Sequence, residues 1–148
     1  MSAEVLRSRI SPLTLKKHEI LRGHAQFNRV ITSGRSLSGD LLRCFFSAYE
    51  SGGDGDSDVV KVGFAVGRKI RKSAVRNRLK RLMREVYRVH KERLHQIAMQ
   101  ESICFDLVLV FRANAEADPK KVSYELIEKD FLRIIDRLQR AKDWMKLE

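Results

Sequence analysis

Residues 68–93 read RKIRKSAVRNRLKRLMREVYRVHKER and contain twelve Lys or Arg residues against two Glu. At about 100° per residue, the apolar side chains fall on one face of a helix and the cations on the other. One face can therefore dock on a hydrophobic core while the other carries charge. The apolar face comprises Val75, Leu79, Leu82, Met83 and Val86. The polar face comprises Arg76, Asn77, Lys80, Arg81, Arg84 and Arg88.

The cationic face has little local compensation, because Glu85 and Glu92 are the only acids of the segment. Such a face repels itself unless an anion covers it. Arg outnumbers Lys, and guanidinium groups match phosphate oxygens and stack on bases. Charge runs are often solvated helix faces, but those usually mix Glu with Lys. The pattern here favours a polyanionic partner.

The chain length, hydrophobic content and net charge agree with a single basic domain. A chain of 148 residues with 43% hydrophobic content can build one core, so we expect a single domain over residues 1–148. Its two ends, 1–10 and 142–148, are expected to be flexible tails. The net charge of +11 and the pI near 10.1 favour nucleic acid or an anionic surface as partner. The first residues lack a secretory h-region, and no apolar run has membrane-spanning length. The sequence therefore predicts a cytoplasmic protein with no membrane contact.

The pattern along the chain predicts an α+β fold. Ser11 and Pro12 indicate the start of a helix from about Leu13 to Ile31, with Gly23 as a candidate break and Gly34 as the end. Strands are expected at 41–49 and 59–66, and a strand buried on both faces at 106–112. Ser123 caps a last helix with an apolar stripe. With one further short strand expected between the strand at 59–66 and the basic helix, the order is α-β-β-β-α-β-α, a sheet with helices packed on it. The stripe comprises Ile127, Phe131, Ile134, Ile135 and Leu138.

Other chemistries have weak support. Asp54, Asp56 and Asp58 imitate the start of a calcium loop, but the sixth and twelfth positions of that loop lack the required Gly and Glu. The four histidines show no metal-ligand spacing, so we expect surface histidines, no protein metal site and no catalytic residue. Cys44 and Cys104 lie in apolar runs and are expected to be buried and reduced.

The stretch FAVGRKIRKSAVRNRLKRLMREVYR resembles the signature of the protein component of bacterial ribonuclease P, which centres on the triplet Arg76, Asn77 and Arg78. Phe27 with Gly34, and the runs FDLVLVFR and VSYELIEKDFLRII, resemble further family elements, so the resemblance covers roughly residues 15–140. It implies a two-layer α-β sandwich with a left-handed βαβ crossover.

The resemblance also implies a function. In this family the RNA subunit cleaves the 5′ leader from precursor tRNA with Mg²⁺, which the RNA subunit and the substrate mainly hold. The protein binds ribonuclease P RNA and precursor tRNA, so endonuclease activity belongs to the ribonucleoprotein, and no obligate protein partner is expected. The residues expected to contact RNA are Arg68, Lys69, Arg76, Asn77, Arg78, Lys80, Arg81, Arg84 and Arg88. The leader cleft is expected to include Phe27, Ile31 and Phe45, since aromatic rings stack bases beside cations that bind phosphates.

The chain departs from the family pattern in three places. Ile31 replaces a second aromatic one helical turn after Phe27, and it offers no π face. Arg71 stands where many members have Gly, which would be strained if that position required a positive φ. The segment LTLKKHEILRGHAQF is longer and more basic than in a minimal member, and its contact is unassigned.

Two other functions fit part of the pattern. A non-catalytic protein of the ribosome or its assembly would share the basicity, size and α+β order, but it has no need of the aromatic cleft. A basic helix that binds membranes or calmodulin-like partners requires a free apolar face, and here that face is needed to cover the sheet.

Overall fold

The computed structural model describes residues 15–50, 60–112 and 118–140. A short 3-10 turn, Lys17–Glu19, precedes helix α1 (His24–Ser33), which ends at Gly34. Strands β1 (Arg35–Ser38), β2 (Leu42–Glu50) and β3 (Val60–Val66) follow. The long helix α2 (Ser73–Glu101) leads to β4 (Ile103–Phe111), and α3 (Tyr124–Arg140) completes the order.

The four strands form one sheet in the order β1-β2-β4-β3. β2 is antiparallel to both β1 and β4, while β3 runs parallel to β4, so α2 is the crossover of a βαβ unit. Phe45, Val108 and Gly63 stand side by side in one row across β2, β4 and β3. The βαβ unit agrees with the resemblance, and its left-handed sense stays a prediction.

The helices cover both faces of the sheet. The larger core lies under α2 and α3, where Tyr87, Phe105, Phe111 and Phe131 are almost completely buried. A smaller cluster of Leu21, Val30 and Val108 lies under α1 on the opposite face. Successive strand residues point to opposite faces, so β4 needs apolar side chains on both, as its nearly continuous burial requires. The sheet with α2 and α3 is the expected α-β sandwich, and α1 adds a partial layer behind it.

The predicted α+β class and the α-β-β-β-α-β-α order are confirmed, but the short strand is β1, the first of the three strands before α2, rather than the last of them. Strand β2 lies within one residue of its expected bounds, β4 begins three residues earlier, and the stripe on α3 is buried. The Ser123 hydroxyl accepts a hydrogen bond from the Leu126 N–H at 3.3 Å, which confirms the cap. Cys44 and Cys104 are buried free thiols, as expected, and burial raises the pKa of Cys44 to about 12.

The predicted helix over 13–31 is wrong in its first part. Ile20 forms a β-bridge with Val62, and the Leu21 N–H donates to the Val62 carbonyl at 2.9 Å. Since β3 is an edge strand, its free carbonyl offers these residues a partner that competes with helix formation. The helix begins only after Gly23, whose φ of +81° lies outside the helical region and separates the bridge segment from α1.

The basic helix also begins later than its charge pattern suggested. Residues 68–72 form the turn before α2, which starts at Ser73, and Ile70 is buried there as an anchor. Leu79, Met83 and Val86 are buried as expected, while Val75 and Leu82 are partly buried against the core. The helix continues to Glu101 because Leu94, Ile97 and Ala98 extend its buried face.

Several expectations lie outside the described residues: Ser11 and Pro12, the two predicted tails, and the Asp54, Asp56 and Asp58 turn. In the described ranges, no helix is both long and apolar enough to cross a bilayer. Arg71 does not have a positive φ, since Ser102 is the one non-glycine described residue that does. The expected strain at Arg71 is therefore absent.

Candidate RNA-binding cleft

A cavity of about 350 Å³ opens where three elements meet at the β3 edge of the sheet. The start of α1, the end of β3 and the start of α2 form its walls, so aromatic and cationic groups from distant parts of the sequence converge there. The N-terminal end of α1 also carries the positive end of a helix dipole, which favours anions. The lining residues are Gly23, His24, Phe27, Phe64, Ala65, Val66, Arg76 and Lys80.

Phe27 packs closely against Gly63 of β3, a position where any larger residue would collide with the ring. A Cβ built on Gly63 would be 2.5 Å from Phe27 Cε2, well inside van der Waals contact. The ring is partly buried against the small cluster beneath α1, yet one side lines the cavity. Phe27 is thus a rigid aromatic wall, because the backbone of β3 supports it from below.

Phe64 forms the opposite aromatic wall and faces α2. Its ring meets Tyr87 edge-on at a centroid distance of 5.9 Å, and the Arg84 guanidinium lies 5.9 Å from its centroid. Successive strand positions place Gly63, beneath Phe27, and Phe64 on opposite faces of β3. The cavity therefore wraps around the edge of the strand, with an aromatic ring on each side and cations above.

Arg76 has a structural contact that the sequence did not indicate. Its Nη1 donates to the carbonyl oxygens of Gly67 at 3.1 Å and Ile70 at 3.0 Å. These bonds close the turn between β3 and α2, which carries the exposed Arg68 and Lys69. Arg76 therefore orders the rim of the cavity as well as lining it.

The other residues of α2 that are predicted to contact RNA lie in distinct environments. Lys80 lines the cavity, whereas Asn77 and Arg81 are exposed and do not line it. Arg78 is half-buried, and its Nη1 is a buried atom without a hydrogen-bond partner among the described residues. Arg88 Nε donates to Glu85 at 2.7 Å, so a neighbouring carboxylate partly compensates its charge.

Phe45 and Ile31 do not line the cavity. Both are partly buried in the cluster beneath α1, to which Phe27 also belongs. The Arg43 guanidinium lies 4.8 Å from the centroid of the Phe45 ring, a cation–π distance. The structure thus brings Phe27, Ile31 and Phe45 to one face of the sheet, with Phe45 on β2 two strands away from Gly63, the residue that Phe27 covers on β3.

A buried carboxylate lies on the same sheet face. Asp106 is 3% exposed, accepts from Tyr49 OH at 3.3 Å and pairs with Arg29 of α1 at 3.4 Å. Burial raises the pKa of Asp106, and the contacts with Tyr49 and Arg29 only partly offset it. The sequence suggested Asp106 as the polar boundary of a strand, but it lies inside β4, where these partners compensate it.

Two histidines depart from the surface expectation. His90 Nε2 lies 2.8 Å from Glu128, and His95 Nε2 lies 3.8 Å from the buried Glu19. Both imidazoles are partly buried between elements, whereas His18 and His24 are exposed. In residues 15–50, 60–112 and 118–140, no three His, Cys, Asp or Glu side chains are arranged to hold a metal. The cleft itself offers aromatic surfaces and cations.

Phe64 and the support that Gly63 gives to Phe27 are features of the site that the sequence alone did not indicate. The sequence pattern places Phe64 only within the strand expected at 59–66. The signal that could have found it is its position three residues before Gly67, at the end of a strand that leads directly into the basic segment.

Comparison with known proteins shows the family to which the chain is similar. The Ribonuclease P family model matches residues 15–139. The "Ribonuclease P protein component" of Chlorobium phaeobacteroides is 33% identical over 132 residues, covering 85% of this chain and 88% of the relative. That of Chlorobaculum tepidum is 31% identical and covers 90% and 92%.

Solved structures share the fold. The RNase P protein from Thermotoga maritima superposes with a TM-score of 0.61 at 26% identity, covering 80% of this chain and 96% of that one. The Staphylococcus aureus RNase P protein gives 0.59 at 19% identity, with coverage of 81% and 94%, a likeness of fold. The chain therefore belongs to the ribonuclease P protein family, which supplies the RNA-binding protein component of a tRNA-processing endoribonuclease.

Proposed function

We propose that this protein binds the catalytic RNA of ribonuclease P and the 5′ leader of precursor tRNA, and that it assists Mg²⁺-dependent removal of that leader. The observation that carries the proposal is the cavity at the β3 edge, where Phe27 and Phe64 stand beside Arg76 and Lys80. Aromatic walls beside cations suit a single strand, because every base has a π face and every linkage carries a phosphate. The proposal places the protein in the cytoplasm.

The chain's own part in the reaction is binding and orientation. Stacking is worth about 1–3 kcal/mol per base and requires little sequence specificity, which fits leaders that differ between precursors. The cations of α2 add a salt-dependent contribution through counterion release. The proposal assigns the hydrolytic chemistry and the Mg²⁺ ions to the RNA subunit and the substrate, as the family resemblance implies.

The test is single-turnover cleavage of a precursor tRNA by a bacterial ribonuclease P RNA at low Mg²⁺, with and without this protein. We expect the protein to restore cleavage at the mature 5′ end and to cleave nothing alone. Binding to RNA without any effect on cleavage by the cognate RNA would contradict the proposal. That result would instead favour a ribosomal or ribosome-assembly role.

Leader binding has its own test with two precursors that differ only in leader length. Replacing Phe27 and Phe64 together with Leu should weaken the long-leader precursor selectively, because Leu keeps bulk but removes the π faces. A matched change of Phe45 to Leu alters an aromatic outside the cavity. Equal losses for both precursors would place the leader elsewhere.

A further inference from the structure

A second cationic surface lies on α3, away from the cleft. Four basic side chains are spaced at i, i+4, i+8 and i+11, so they fall within about 80° of the helix circumference. Their centre is opposite the buried stripe of the same helix. All four side chains are exposed. The row of cations extends over about 17 Å, at a rise of 1.5 Å per residue. The α3 stripe consists of Lys129, Arg133, Arg137 and Arg140.

Local acids neutralise only part of this charge. Asp40 pairs with Arg133 at 3.3 Å, but the two side chains are 84% and 55% exposed, and such surface pairs bind weakly. Asp136 pairs with Arg93 of α2 at 2.8 Å, which removes it as a partner for the stripe. Glu125, in the first turn of α3, lies one turn before Lys129 and is adjacent to that end of the stripe only. The stripe therefore keeps a net positive charge.

The stripe rests on a well-fixed support. Asp130 is buried and accepts backbone N–H groups of Asp40 at 2.8 Å, Leu41 at 3.0 Å and Leu42 at 2.8 Å. These bonds hold the β1–β2 turn against α3 and compensate the carboxylate internally. Arg137 Nη1 donates to the Ser38 carbonyl at 2.8 Å, which fixes its guanidinium in place. Because the cations of the α3 stripe are held on a well-packed helix, they suit a partner that is itself rigid.

The α3 stripe differs from the cleft because, among the described residues, it has no aromatic side chains beside its cations. No described aromatic side chain lies on the outward face of α3, whose one large exposed apolar residue is Leu126. Stacking of unpaired bases is thus not available there. The sheet order also separates the two surfaces, since α3 packs over β1 and β2 while the cleft lies at β3. β1 and β3 are three strand spacings apart, about 14 Å.

We infer that the α3 stripe binds the phosphate backbone of a double-stranded RNA segment, at the same time as the cleft holds a single strand. A duplex offers a stiff line of phosphates that can be gripped without reading bases. The inference rests on the proposed function only in taking RNA as the polyanion. The inferred contact lies on α3, whereas the Arg76–Asn77–Arg78 triplet lies on α2, on the other side of the layer that these two helices form.

The test compares two variants of the full chain that lose equal charge. Lys129→Gln with Arg133→Gln changes the stripe, and Lys80→Gln with Arg84→Gln changes the cleft. Each is titrated with a mixed-sequence RNA duplex and with a single-stranded leader oligonucleotide over a range of salt. We expect the stripe variant to lose affinity for the duplex by on the order of tenfold, with its log–log salt slope reduced by about 0.9 per lost contact. Its affinity for the single strand should be unchanged, and the cleft variant should show the opposite pattern.

Two further measurements separate the outcomes. The charge-retaining pair Lys129→Arg and Arg133→Lys should bind the duplex as the parent does. If Arg133→Gln lowers thermal stability, Lys129→Gln with Arg140→Gln leaves the Asp40 pair intact and gives the same expectation. Unchanged duplex affinity, or equal losses for duplex and single strand, would overturn the inference. Neither assay contains the RNA subunit, so a failure of cleavage stimulation is a separate result.

Discussion

Lys91 and Glu19 form a buried ion pair between segments 72 residues apart in sequence, with Lys91 Nζ at 2.9 and 3.1 Å from the two carboxylate oxygens. The Lys16 N–H also donates to Glu19 at 2.8 Å. Burial opposes ionisation of Glu19, but Lys16 and Lys91 outweigh it and hold the pKa of that carboxyl below its ordinary value. The pair therefore ties the 3-10 turn, the segment before α1, to the middle of α2.

Removing one partner of this pair should be more costly than removing both. Lys91→Met leaves a buried carboxylate without its cation, and we expect a loss of about 3–5 kcal/mol in the free energy of unfolding. Glu19→Gln with Lys91→Met should cost less than the sum of the single changes, because no buried charge remains. Urea denaturation of the four proteins of the cycle measures this. Strict additivity would show that the pair is not coupled.

His95 should make stability depend on pH. Burial lowers the pKa of this imidazole from its ordinary value near 6.5, so the unfolded chain binds a proton at higher pH than the folded one. Stability is then full above pH 6.5 and falls as pH drops through that value towards the lower folded pKa. Thermal unfolding between pH 8 and pH 5.5 should show a steeper decline for the parent than for His95→Gln. Parallel curves would contradict a buried neutral His95.

Gly63→Ala should disturb the aromatic wall from beneath. The new Cβ meets Phe27 Cε2 at 2.5 Å, so the ring must move, and overpacking of this kind costs about 1–3 kcal/mol. Adding Phe27→Leu should restore stability by making space, while leader binding stays weak because the ring is gone. Urea denaturation and leader-oligonucleotide titration report the two properties separately. Recovery of both properties in the double variant would remove Phe27 from the binding site.

Lys80 and Arg81 are neighbours that the sequence could not separate. Lys80 lines the cavity and Arg81 does not, although both are exposed cations. We expect Lys80→Gln to lower the log–log salt slope for a single-stranded leader by about 0.7, the contribution of one phosphate contact, and Arg81→Gln to leave it unchanged. Fluorescence anisotropy of a labelled leader measures both. If both variants lowered the salt slope equally, the strand would lie along the whole helix face rather than in the cavity.

Arg76 should show a loss of stability even when its charge is kept. Arg76→Lys retains the cation but removes the guanidinium that donates to Gly67 and Ile70, so we expect a loss of about 1–2 kcal/mol in unfolding free energy. The nearby Lys80→Arg is the matched control, since Lys80 does not brace this turn. Equal stability of the Arg76→Lys variant and the parent would show that the turn does not depend on the guanidinium.

Local pattern was sufficient for most elements. The spacing of Ile127, Phe131 and Leu138 determined the buried face of α3, and the continuous apolar run of β4 indicated burial on both faces, because periodicity follows directly from backbone geometry. The charge of residues 68–93 likewise indicated an anionic partner. These properties depend on residues that are neighbours in sequence, so the sequence alone carries them.

Contacts between distant segments had to come from the tertiary structure. Only the sheet order brings Phe27 over Gly63 and places Phe64 on the far side of the same strand. Lys91 counted as one more cation of the basic helix until the fold placed Glu19 against it. The helix expected before Gly23 was replaced by an edge-strand contact, since an unpaired carbonyl of β3 was available. Partners of this kind are chosen by packing across the whole chain, and local spacing has no information about them.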